Sequence, residues 1–173
     1  MLHRIVITGA ESTGKTTLAR ALANYYSEPW TEEFVRRYVD QIKRDLQAKD
    51  LEPIARGQLA AEDTNLDQAT RMVIHDTNLL SSIIYAKHYF DTELDWVNQR
   101  FRERKYSLYL LCEPDIPWKA DPGQRESSLV RDQLQKTFKA QLNALKLPYQ
   151  QIKGTREQRL QRAVTIIDQL LND

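Results

Sequence analysis

Apolar residues in this chain fall into short continuous runs separated by longer stretches in which they recur every three or four positions, a pattern that predicts strands and helices in alternation. The first run, Arg4-Ile5-Val6-Ile7-Thr8, predicts a strand. Leu18, Ala21, Leu22 and Tyr25 then share helical spacing, and the pattern stops before Pro29, which disfavours helix in the residue ahead of it. A short second strand is expected at Trp30-Thr31. Helical patterning follows over 33–48 and over 52–70, where Ile54, Leu59 and Leu66 supply part of an apolar face. Met72-Val73-Ile74-His75 predicts a third strand ending at Asp76. Helices over 79–90 and 93–104 lead to a fourth strand over 107–112 and a loop over 113–124. Helix to about 145, a strand over 149–152 and an amphipathic helix over 156–171 complete the pattern.

One junction in this pattern carries chemistry. Between the first strand and the first helix stands Gly9-Ala10-Glu11-Ser12-Thr13-Gly14-Lys15-Thr16, which fills every constrained position of the phosphate-binding P-loop G-x-x-x-x-G-K-[ST]. Gly9 and Gly14 let the backbone curl until successive N–H groups point at phosphate oxygens, and the helix opening near Lys15 adds unpaired N–H groups and its dipole. Gly9, Glu11, Ser12, Thr13, Gly14, Lys15, Thr16 and Thr17 are therefore the expected nucleotide-binding set. Lys15 reaches the β/γ-phosphates of ATP and Thr16 is placed to ligate Mg²⁺. With this loop after the first strand, alternating strands and helices imply a three-layer α/β P-loop NTPase fold of nucleoside/nucleotide-kinase type. It has a parallel five-stranded sheet, helices on both faces and a helical lid.

Composition narrows the partners. The 173 residues fit a single domain, 1–173, and a formal net charge of +1 gives no bulk basic field for nucleic acid or a membrane surface. A small-molecule substrate is the expected partner. The single cysteine, Cys112, excludes an intrachain disulfide and lies in an apolar strand where an inert thiol is expected. The chain enters its first strand at once and has no apolar run near the ~20 residues of a membrane helix, so a cytoplasmic location is expected.

Ligands of such folds gather at the carboxyl ends of strands, which selects the remaining candidates. Asp76 ends an apolar strand, where P-loop proteins place the carboxylate that helps hold Mg²⁺, and it is followed by the polar Thr77 and Asn78. An aspartate at such a boundary can also cap the next helix, a role compatible with the first, but capping does not require the end of a core strand. Glu32 and Glu33 follow the second strand and precede Arg36 and Arg37. A carboxylate there either takes a substrate proton or sits in a helical first turn beside surface arginines. Gln58, beside Gly57, has the same two readings, ligand contact or solvation. The segment 113–131 contains three prolines and Trp118 and carries Arg125 and Arg131 into the next helix. Guanidinium groups on such a lid stabilise the spread charge of phosphoryl transfer, worth on the order of 10³–10⁵ in rate. Lys119 reads as solvated.

Together these pieces resemble the ribosylnicotinamide kinase domain of NadR-type NAD-biosynthesis proteins and the related small AAA-like ATPase/kinase family. The likeness rests on residues 9–16, on Glu33 with Arg36, and on Gln58 and Asp76-Thr77-Asn78. Pro114-Asp115-Ile116-Pro117-Trp118, followed by Asp121 and Arg125, is its most specific part. Arg37 directly after Arg36, and Pro122 within the lid, depart from the usual pattern. The resemblance implies Mg²⁺-dependent phosphorylation of nicotinamide riboside, or a similar nucleoside, by ATP. Taken with the residue chemistry above, the expected catalytic set is Lys15, Asp76, Glu33, Arg125 and Arg131, with a metal site at Thr16 and Asp76, and the expected acceptor-binding set is Glu33, Arg36, Gln58, Asp76, Asn78, Asp115, Trp118 and Asp121. Other nucleosides, nucleotides or small alcohols, and a nucleotide-dependent regulatory ATPase, are the alternatives. Asp76 and Glu33 both stand as the general base.

Overall fold

The computed structural model describes residues 1–120 and 127–172. Five parallel strands, β1 (His3–Thr8), β2 (Trp30–Thr31), β3 (Met72–Asp76), β4 (Leu108–Cys112) and β5 (Tyr149–Ile152), lie in the order β2-β3-β1-β4-β5. The apolar runs become the buried strands: β3 and β4 are buried at every position. Register pairs Val6 with His75 and with Tyr109, and Ile7 with Asp76 and with Leu110. Side chains alternate faces along a strand, so Ile7 and Asp76 share one face and Val6 and His75 the other.

Seven α-helices cover the sheet among the described residues: α1 (Lys15–Tyr26), α2 (Phe34–Ile42), α3 (Leu51–Leu66), α4 (Leu79–Phe90), α5 (Asp95–Glu103), α6 (Ser128–Ala144) and α7 (Arg156–Asn172). Leu18, Leu22, Tyr26, Ala163 and Ile167 pack with Ile5 and Ile7 in one core, under α1 and α7. Leu79, Leu80, Phe101, Leu134 and Phe138 pack with Val6 and Tyr109 in a second core on the other face. No helix among the described residues is long and apolar enough to cross a membrane.

Several boundaries differ from the sequence expectation. The inward tyrosine of α1 is Tyr26, whose hydroxyl donates to Asp168 of α7 at 2.8 Å, while Tyr25 is 59% exposed. The helix expected over 33–48 stops at Ile42, with Lys43 left-handed at φ 50°. The cause is Asp50, which takes two hydrogen bonds from the Arg44 guanidinium, one from the Tyr38 hydroxyl and one from the Gln47 amide. That clamp folds 43–50 back on itself, and the Arg44 bonds hold the Asp50 carboxyl well below the usual carboxylate range. The stretch expected over 52–70 ends as helix at Leu66.

Candidate functional site

The P-loop takes the nest conformation that its residue types permit. Gly9 (φ 129°), Ser12 (φ 53°) and Gly14 (φ 81°) all lie at positive φ, turning successive amides inward before α1 begins at Lys15. Gly9 is also spatially required, since a Cβ there would stand 2.9 Å from the Cys112 carbonyl oxygen. Thr13 Oγ1 and Lys15 Nζ both donate to the Ala10 carbonyl, at 2.8 and 2.6 Å. Lys15 is 8% exposed, so its ammonium group is held inside the loop. Glu11 is half-buried with Oε2 unbonded, and Thr17 is exposed one residue beyond Thr16.

Asp76, at the end of β3, faces the first turn of α1: Thr16 Oγ1 donates to Asp76 Oδ2 at 2.5 Å. Its other oxygen, Oδ1, is buried without a partner. Burial first, then the Glu33 charge, raise the Asp76 carboxyl to about 6, against the Thr16 hydrogen bond and the Lys15 and Arg36 charges. Glu33 stands at the N-terminus of α2, its Oε2 accepting from Arg36 Nε at 3.0 Å. The structure thus brings Lys15, Thr16, Asp76, Glu33 and Arg36 into one electrostatic neighbourhood. Thr77, next to Asp76, has φ 68° although β-branched, and its amide donates to the Ile7 carbonyl at 2.9 Å. Such strain collects where a site fixes the backbone.

Two neighbours sit deeper than their sequence suggested. Asn78 caps α4, accepting from the Leu80 amide, and donates to the Tyr109 hydroxyl at 3.1 Å. Gln58, 3% exposed and not solvated, accepts from the Phe34 amide at 3.1 Å and turns its amide nitrogen toward Glu62 and the Thr77 carbonyl. Gly57 makes room for a side chain: a Cβ would fall 2.1 Å from the Phe34 ring.

The segment after β4 folds against the loop. The Lys119 amide donates to Ser12 Oγ at 2.9 Å, and Trp118 is half-buried. Arg131, 7% exposed on α6, donates to the Ile116 carbonyl at 2.9 Å. Asp115 accepts from the Gly154 amide and from Arg159. Burial works against its charge, but the Gly154 amide and the Arg159 guanidinium prevail and lower its carboxyl. Asp121 and Arg125 lie outside the described residues. Cys112 is buried, its thiol pushed up to about 12 by desolvation.

Sequence reading missed two residues that brace the loop from behind. Arg159 of α7 donates to the carbonyls of Thr13 (2.6 Å), Glu113 (2.9 Å) and Gly154 (2.9 Å). Gln135 of α6 accepts from the Ala10 amide and donates to the Cys112 carbonyl, both at 3.0 Å. The available signal was position: Arg159 shares the stripe of Ala163, Ile166 and Ile167, and Gln135 that of Leu134, Phe138 and Leu142. A polar residue on a buried stripe must find partners there.

The donor set fits a small divalent cation. A hydroxyl and a carboxylate with one unbonded buried oxygen are hard oxygen ligands, and Mg²⁺ usually takes one or two of these with phosphate oxygens and water. No cluster of three or more His, Cys, Asp or Glu residues suited to a metal occurs among the described residues.

The chain is 32% identical over 142 residues to the trifunctional NAD biosynthesis/regulator protein NadR of Escherichia coli (strain K12), covering 78% of this chain and 34% of that protein. It is 28% identical to NadR of Salmonella typhimurium, covering 99% of this chain and 43% of that one. The chain thus spans less than half the length of these curated relatives. Among solved structures, NadR in complex with NAD and AMP-PNP, and NadR in complex with NR, each superpose with a TM-score of 0.83 at 22% identity, covering 99% of this chain and 50% of theirs. Thymidylate kinase from Ehrlichia chaffeensis superposes with a TM-score of 0.72 at 14% identity, over 96% of this chain and 98% of its own. At these identities the superpositions show the P-loop kinase fold. Residues 4–159 match the AAA domain family model, and the chain belongs to that family.

Proposed function

We propose that this protein is an ATP-dependent kinase that phosphorylates a ribose hydroxyl of a nucleoside, with nicotinamide riboside as acceptor and nicotinamide mononucleotide as product. One observation carries it: two carboxylates, Asp76 and Glu33, stand at neighbouring strand ends beside a complete P-loop, close enough for the Glu33 charge to raise Asp76. A pure nucleotide switch has little use for the second carboxylate. Similarity to NadR proteins, one of them solved with NR, supports the acceptor class.

The chain's own groups divide the work. Amides of 9–16 and the Lys15 ammonium receive the donor phosphates, Lys15 exchanging the Ala10 carbonyl for phosphate oxygens. Thr16 and Asp76 would hold the divalent cation, which would neutralise phosphate charge. With Asp76 engaged by Thr16, Glu33 is left to take the acceptor proton, and Arg36 orients it. As the acceptor oxygen bonds to the γ-phosphorus, the bond to the bridging oxygen breaks and leaves ADP. Arg131 and Arg125 supply cations for the transition state. Arg159 and Gln135 keep the loop in shape.

Phosphorylation of nicotinamide riboside by the purified protein, measured beside Lys15→Ala and Glu33→Gln, tests this assignment. Lys15→Ala is expected to abolish transfer while the protein stays folded. Glu33→Gln is expected to lower kcat by about 10²–10⁴, the usual worth of a positioned general base, with nucleotide affinity retained. A folded Lys15→Ala protein with near-normal turnover would sink the proposal.

A further inference from the structure

A cavity of about 620 Å³ lies at the opposite end of the sheet from the P-loop, lined by Arg4, Asp63, Arg100, Glu103, Arg104 and Lys105 among others. Arg4 is the second residue of β1 and Lys105 precedes β4, so the cavity sits at the amino ends of parallel strands whose carboxyl ends carry the nucleotide loop. Four cations face two carboxylates there. Among the described residues Arg100 pairs with Glu103 and Arg104 with Asp63 and Glu62, whereas Arg4 and Lys105 form no ion pair. Arg104 Nε is buried and unbonded. An excess of guanidinium and ammonium groups in a concave site of this size suits a small phosphorylated molecule, because guanidinium forks bind phosphate oxygens in pairs.

A continuous set of buried polar contacts leads from this cavity to the catalytic end. Arg104 lies 3.4 Å from Glu62, which is fully buried. Glu62 accepts from the Tyr106 hydroxyl at 2.8 Å and from Gln58 at 3.4 Å. Gln58 in turn accepts from the Phe34 amide, beside Glu33, and approaches the Thr77 carbonyl, beside Asp76. Burial raises the Glu62 carboxyl to about 6 while the Arg104 charge, foremost among its neighbours, opposes the shift. Drawing Arg104 toward an anion therefore weakens what holds Glu62 charged, and Gln58 feels the change at both of its ends.

We propose that the cavity between the start of β1, α3 and α5 is a second anion site, taking a di- or polyphosphate-bearing small molecule, whose occupancy is transmitted through Arg104, Glu62 and Gln58 to the N-terminus of α2. Coupling of this kind is reciprocal, so ligands at the two ends alter each other's affinity by the same factor.

The test titrates inorganic pyrophosphate into Lys15→Ala protein, whose P-loop has lost the ammonium group that receives phosphate, at physiological salt, and assigns binding at the amino end by substitutions made there. It reads calorimetric binding together with hydrogen exchange at the Phe34 amide. One-to-one saturable binding is expected, weakened at least tenfold by adding Arg4→Gln with Lys105→Gln, and accompanied by altered Phe34 exchange that the added substitutions remove. Arg100→Gln, on the exposed side of α5, gives an independent weakening should the double substitution disturb the fold. Absence of saturable binding, binding undiminished by these changes, or Phe34 exchange that does not move overturns the proposal. No acceptor enters the experiment, so its outcome is separate from that of the kinase assignment.

Discussion

At the scale of single residues, Asp76 shows what the site costs the fold. Its folded-state value, raised to about 6 by burial and the Glu33 charge, lies above the ordinary carboxylate range. Ionised Asp76 therefore destabilises the folded protein at neutral pH. This cost is absent below ~pH 4 and fully developed once pH has risen through the folded value. Asp76→Asn keeps an acceptor for the Thr16 hydroxyl and removes the buried charge. In protein without nucleotide it is expected to raise Tm at pH 7.5 by several degrees, with the gain shrinking toward zero near pH 4, while phosphoryl transfer falls by at least ~10²-fold. Thermal unfolding across pH checks this, and an unchanged or lower Tm at pH 7.5 would contradict the account of Asp76. The lysine and threonine of the loop, and the aspartate at its strand end, were legible in the sequence because motif and strand boundary fix where they stand. The burial of Asn78 and Gln58 was not, because it depends on Tyr109 and Phe34, 31 and 24 positions away.

At the scale of elements, the loop and α2 are held by neighbours rather than by their own propensity. Arg159 reaches three carbonyls through a planar fork that a lysine lacks. Arg159→Lys is expected to weaken nucleotide binding by about tenfold, at little cost to acceptor affinity measured at saturating ATP, because it loosens the phosphate nest and leaves Glu33 untouched. Equilibrium titration with a nucleotide analogue decides it, and unchanged affinity would remove Arg159 from the brace. Gly57→Ala sets a methyl group against the Phe34 ring that docks α2 on α3. Overpacking of this kind costs about 1–3 kcal/mol, measurable as a lower midpoint in urea. Strand positions were well predicted because each is a continuous apolar run. Helix ends were less so: helical patterning extends past Ile42, but the Asp50 clamp, formed with Arg44, Tyr38 and Gln47, ends the helix there.

At the scale of the whole molecule, every strand runs in one direction, which separates the protein into a carboxyl end and an amino end of unlike chemistry. The P-loop amides, Lys15, Asp76 and Glu33 collect at the first, and Arg4, Arg104 and Lys105 at the second. The alternation of strand and helix made the sheet and its nucleotide end readable from sequence. The amino-end cavity was unreadable because its residues are scattered over three elements and share no motif. The central claim is that the two carboxylates beside the P-loop serve an acceptor, and the most direct measurement is the rate of ADP release from ATP with and without candidate acceptors. Nicotinamide riboside is expected to accelerate ADP release by orders of magnitude, with one nicotinamide mononucleotide formed per ADP and weaker or no response to other nucleosides and small alcohols. ADP release at the same rate with every acceptor and with none, and no phosphorylated product, would contradict the kinase account.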